Sequence, residues 1–116
     1  MTALFINHTP HPVTILAEDG SMVATFPPSG IVPRISELVD ATGDIEGVPV
    51  EYVEYGEPAG LPERRLDVDL IVSRVLAFAL PHREDLCFPS REVRDDTGRI
   101  IGCRALGYVD PRGIAR

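Results

Sequence analysis

The sequence predicts one α+β domain: a mostly antiparallel mixed sheet built from β-hairpins, with one short helix at about residues 73–80. Three observations predict it. Eleven prolines and ten glycines in 116 residues cut the chain into short segments, and short segments between turn signals favour strands over helices. At 44% hydrophobic and 25% charged, the composition is that of a globular domain, which excludes wholesale disorder, a coiled coil and a collagen-like chain. The length leaves room for a single domain, expected over residues 1–110, with 111–116 read as a frayed tail. Trp is absent, so the core is expected to rest on Val, Ile, Leu and Ala.

Taken in order, Ala3 to Ile6 reads as a first strand. Asn-His-Thr-Pro-His-Pro, residues 7 to 12, leaves regular structure because each proline removes a ladder donor. Val13 to Ala17 and Met22 to Phe26 read as paired strands, and Asp19-Gly20 between them carries the signal of a tight hairpin. Residues 31 to 47 are expected to start extended and finish irregular. Val48 to Tyr55 alternates apolar and acidic residues and reads as a strand able to pair with the segment before Gly47. Gly56 to Asp67 reads as the longest loop. Asp69 to Val72 is a short strand. Ser73 then caps a helix running to Leu80, its hydroxyl taking an orphan backbone N–H. Val72, Val75, Leu76, Ala79 and Leu80 form one apolar stripe on it, and Pro81 ends it. Glu92 to Asp95 and Arg99 to Leu106 form a terminal hairpin about Asp96-Thr97-Gly98. The adjacent Ile100 and Ile101 imply a strand buried on both faces or a bulge, and Gly102 implies close backbone approach.

Net charge is −7, which argues against general nucleic-acid binding through phosphates. Every fixed side-chain cation is Arg, a planar fork suited to carboxylates and phosphates. Charge is uneven: residues 37–69 carry a net −8, residues 70–116 a net +2 and residues 1–36 a net −1. The acidic middle reads as a solvated face or as a surface complementary to the Arg-bearing part of a second copy; a third reading puts an anionic small ligand among the arginines, shielded from the acidic face. Short edge strands invite pairing, so a homo-oligomer is expected. Cys87 and Cys103 form no CxxC and read as reduced, buried thiols. The N-terminus lacks a cationic n-region and no run of 18 apolar residues exists, so neither a signal peptide nor a membrane-spanning helix is read. The expected setting is the cytoplasm, with no membrane partner.

The chemistry concentrates in two places. Asn7, His8, Thr9 and His11 bring an amide, two imidazoles and a hydroxyl into five residues after a strand. Asn7 and Thr9 can fix the turn through their own backbone, and His8 and His11 offer ligand contacts or acid–base groups. Ser73 and Arg74 open the helix, whose N–H groups suit an anion. If the first strand and the strand at Asp69 to Val72 run parallel as neighbours, the two places share one sheet edge and one polar pocket. Arg83 and Arg104 are further candidates, each with a competing reading as a locally paired surface charge. No GxSxG, HExxH or Walker sequence is present, and two histidines without nearby acids make no metal site. No catalytic residue, metal or cofactor is assigned.

A string of blocks runs through most of the chain: Asn-His-Thr-Pro-His-Pro-Val at 7–13, Phe-Pro-Pro-Ser-Gly at 26–30, Tyr-Gly-Glu-Pro-Ala-Gly-Leu-Pro at 55–62, Ile-Val-Ser-Arg at 71–74, Ala-Leu-Pro-His-Arg at 79–83, Val-Arg-Asp at 93–95 and Gly-Arg-Ile-Ile-Gly-Cys at 98–103. Together they resemble a family of small uncharacterised proteins of bacteriophages and actinobacteria. The resemblance implies a phage or prophage accessory role, such as an inhibitor of host defence or a sponge for nucleotide signals. The leading expectation is a non-enzymatic, oligomeric protein that binds a small anionic, nucleotide-derived ligand. The alternative is a protein–protein interaction module that uses the acidic middle. A third is a phosphodiester-cleaving enzyme using His8 or His11.

Overall fold

The computed structural model describes residues 4–110; the tail expected at 111–116 lies outside them. Eight strands and one helix follow in the order β1 (Leu4–Asn7), β2 (Val13–Leu16), β3 (Met22–Phe26), β4 (Arg34–Ile45), β5 (Val48–Ala59), β6 (Val68–Ile71), α1 (Arg74–Ala79), β7 (Leu86–Arg94) and β8 (Ile100–Tyr108). This is the α+β domain of hairpins and one short helix that the sequence predicts. Six strands form a mixed sheet in the order β1-β6-β7-β8-β2-β3, and β4 and β5 form a separate two-stranded sheet. The β2–β3, β7–β8 and β4–β5 pairs are antiparallel. β1 runs parallel to β6, with Asn7 opposite Ile71.

The six-stranded sheet curls until its two edges meet. Asn7 at the end of β1 bridges to Pro28 just after β3, and Ser29 N–H donates to the Asn7 carbonyl at 2.8 Å. All six strands contribute to the concave side: Val13, Ile71, Cys87 and Cys103 are buried there, with Phe5, Ile15, Phe26 and Leu106 packed against them. Phe5 and Phe26, from opposite edges, meet edge to face at 5.7 Å, so the closure is packed as well as hydrogen-bonded. A second cluster lies under α1 and joins Val68, Leu70, Val72, Leu76, Ala77, Leu86 and Phe88.

Ser73 caps α1 as expected, its Oγ accepting from Leu76 N–H at 3.2 Å. The apolar stripe differs from the expected one: Leu76 and Ala77 are buried while Val75 is 51% exposed. A six-residue helix presents less than two turns to the sheet, so its packing follows the chain's approach from β6 more than a long-range stripe. Two further expectations need correction. Residues 34–45 are a continuous strand with no irregular finish, and residues 56–59 belong to β5, shortening the loop to 60–67. The two long strands are joined by Glu46-Gly47, both at positive φ (49° and 82°), the backbone of a primed two-residue turn. Gly47 N–H donates to Asp44 Oδ1 at 2.8 Å. Ile100 and Ile101 are both about half exposed, and the register shifts at Val93/Arg94, so the bulge reading is the one that applies.

Candidate functional site

Asn7 is the pivot of the curl and is 1% exposed. Its Nδ2 donates to the carbonyls of His11 (2.8 Å) and Phe26 (2.9 Å). Its Oδ1 accepts from Thr9 N–H at 2.9 Å, with Thr9 Oγ1 2.7 Å away. All four hydrogen-bonding positions of the amide are therefore used, and the side chain holds the 8–12 turn against the sheet edge. His8 is also buried. Its Nδ1 lies 2.9 Å from the Ile31 carbonyl and 2.7 Å from Ser29 Oγ. A carbonyl can only accept, so Nδ1 carries the proton and His8 is a structural donor.

With the turn so fixed and β1 parallel to β6, Thr9 and His11 share an open cleft of about 470 Å³ with Ser73 and Arg74. The cleft sits at the end of the curled sheet where β1, β6 and β7 finish and β2 and β8 begin. Its apolar walls come from Pro12, Val13, Pro89, Ile100 and Ile101, and Glu92 supplies a carboxylate. The volume falls within the range typical of small-molecule sites, roughly 300–1,000 Å³.

Arg74 is the Arg that borders this cleft, and the two rings that hold its guanidinium lie outside the lining. Its guanidinium lies 4.5 Å from the Phe88 ring centroid and 5.5 Å from that of Phe78. Ring faces hold the guanidinium plane without consuming its N–H donors. Among the described residues no carboxylate lies within ion-pair distance of it. Gly107 makes room for the platform, since a Cβ there would stand 2.8 Å from Phe88 Cε2 and Cζ. The imidazole of His11, by contrast with that of His8, is exposed and has no hydrogen-bond partner among the described residues.

Not every sequence candidate gathers here. Asn7 and His8 support the cleft from beneath and do not line it. The Ser73 hydroxyl accepts the cap bond, and a six-residue helix offers too little dipole to carry an anion site, so that part of the expectation falls away. Arg83 is spent elsewhere: it forks onto Asp85 through two 2.8 Å bonds and reaches the Pro62 carbonyl at 3.0 Å. The Arg83 fork holds the Asp85 carboxyl below the usual carboxylate range, against the opposing effect of burial. Arg104 donates to the Ala17 and Leu16 carbonyls, stapling β8 to the end of β2. Glu92 and the Ile100–Ile101 pair are among the cleft residues that sequence reasoning missed; two adjacent apolar residues opening a strand were the available signal. Both cysteines are free and buried. Burial pushes the Cys87 thiol up to about 12 and raises that of Cys103, which leaves them inert.

Among the described residues no helix is long and apolar enough to cross a membrane. Set against protein-family models, curated proteins and solved structures, the chain matches none.

Proposed function

We propose that the protein is a non-enzymatic binding protein for a small anionic, nucleotide-derived ligand, held in the cleft at the end of the curled sheet. The observation that supports this reading is the convergence of Arg74, His11 and Thr9 with apolar walls and one carboxylate. An anionic group would sit at the Arg74 fork, which ring stacking leaves with its donors free. A planar ring would lie between Ile100, Ile101, Val13 and Pro89. Glu92 would accept from an amine or hydroxyl of the same ligand. Against the cleavage alternative, His8 is buried and does not line the cleft. In the phage setting to which the sequence blocks are similar, such a protein would sequester its ligand.

The test is isothermal titration with inorganic phosphate, adenosine and guanosine monophosphates, and cyclic dinucleotides. At least one nucleotide should bind more tightly than phosphate. Arg74→Ala should weaken that binding by about ten- to a hundredfold, the worth of one charge-assisted contact of roughly 1.5–3 kcal/mol. Equal affinity in wild type and variant, or no binding by any of these ligands, overturns the reading.

A further inference from the structure

Two opposite charges border the cleft, Arg74 and Glu92, and the fold spends neither on the other. No ion pair joins them. Arg74 rests on ring faces, and among the described residues nothing donates to the Glu92 carboxylate. Arg94, two residues further along β7, gives its fork to the Gly98 carbonyl at the hairpin turn. A ligand that satisfies both charges is therefore dipolar, with an anionic group at one end and N–H donors at the other.

The position of Glu92 relates it to the apolar wall. It stands on β7 opposite Cys103 of β8, and Val93 beside it is opposite Gly102. Glu92 thus adjoins Ile100 and Ile101, which line the same cleft. A planar ring lying on that wall would turn an edge toward the carboxylate.

A carboxylate accepts hydrogen bonds and donates none, and its two oxygens sit side by side. The bases differ in what they can offer it. The pairing edge of guanine carries two adjacent donors, N1–H and the 2-amino group, one for each oxygen. Adenine sets its amino group beside the N1 lone pair, and cytosine sets its own beside the N3 lone pair. Each would make one bond and oppose a lone pair to the other oxygen. Uracil has one donor between two carbonyls.

We infer that Glu92 makes the cleft selective for a guanine base, with Arg74 taking the phosphate of the same nucleotide. The inference rests on the nucleotide reading above and adds the identity of the base. Phosphate is common to all nucleotides, so the Arg74 contact carries affinity without base information. Glu92 carries the discrimination.

Competition titration with guanosine, inosine and adenosine monophosphates tests this on the wild type, Glu92→Gln and Arg74→Ala. Guanosine monophosphate should bind about ten- to a hundredfold more tightly than adenosine monophosphate, the discrimination of one bidentate contact to a base. Inosine monophosphate keeps N1–H, lacks the 2-amino group and should fall between. Glutamine offers one acceptor and one donor, the pattern that adenine answers. Glu92→Gln should therefore weaken guanosine monophosphate about tenfold and tighten adenosine monophosphate. A damaged fold does not tighten a ligand, so this gain separates base recognition from loss of structure. Arg74→Ala should weaken all three ligands alike and keep their order. Equal binding of guanosine and adenosine monophosphates by the wild type overturns the inference and leaves the nucleotide reading standing. So does a Glu92→Gln protein whose guanosine-to-adenosine ratio is unchanged. Binding of none of the three by the wild type overturns both.

Discussion

One amide decides how the curled sheet closes. Asn7 serves the turn through Oδ1 and the opposite edge through Nδ2. Asn7→Asp keeps the shape and removes both donors, setting a carboxylate against two carbonyls. A cost of about 2–4 kcal/mol is expected for the unpaired buried groups, measured as a fall in the urea midpoint with little change in slope. Cys87 makes a separate prediction. Burial raises its folded value to about 12, with Asp69 and Asp85 adding to the rise. The folded state thus favours the protonated thiol, so this contribution to stability is complete below the ordinary thiol value and is lost as pH rises from there toward about 12. At pH 8 a thiol reagent should modify Cys87 no faster than the protein opens; immediate labelling of the native protein would contradict the burial seen here.

One loop and one strand pair each depend on a particular residue. Arg83 and Asp85, between α1 and β7, tie the 60–67 loop to the body through Pro62. Arg83→Ala strands a buried carboxylate and should cost roughly 3 kcal/mol. The pH dependence should also change sign of origin. In the wild type the depressed Asp85 stabilises above the usual carboxylate range, and this is lost as pH falls through its folded value. Without Arg83 the buried carboxyl favours its protonated form, so the acid unfolding midpoint should move to higher pH. Gly102 governs the β8–β2 contact: a Cβ there would lie 2.8 Å from Leu16 Cδ1 and 2.9 Å from the Thr14 carbonyl. A backbone oxygen cannot step aside as a side chain can. Gly102→Ala should therefore destabilise by about 1–3 kcal/mol, read from thermal unfolding, and should deform the cleft wall beside Ile101.

At the scale of the molecule, the β4–β5 ribbon makes the chain long for its size. The radius of gyration is 16.9 Å, against ~13 Å for a compact domain of about this length. Amide protection should follow that division. In dilute protein, β4 and β5 should exchange first, while β6 and the start of β7, buried on both faces, should exchange last. Uniform protection across the chain would mean the ribbon is not an independent unit.

The sequence by itself determined the local elements. Asp19-Gly20, Asp96-Thr97-Gly98, Ser73 and Pro81 act over a few residues, and their turn and cap chemistry can be read without knowing the fold. The apolar runs at β1 and β6 likewise announced short strands, of which β6 is central and β1 an edge, and Asn7 with Thr9 announced the turn. The pairing of Val48 to Tyr55 with the segment before Gly47 was also legible, but the full length of β4 escaped because the turn Glu46-Gly47 lacks the usual Asn or Asp at the first position and the pattern shifts at bulges near Ser36 and Asp40. Only the tertiary structure decided how each polar group is spent. Arg74, Arg83 and Arg104 are the same residue type, yet one lies on aromatic rings beside a cleft, one forks onto a buried acid and one staples two strands. His8 and His11, three residues apart, divide into a buried donor and an exposed ring. Such assignments depend on which groups the folding chain brings within about 3 Å, and sequence spacing does not encode those distances.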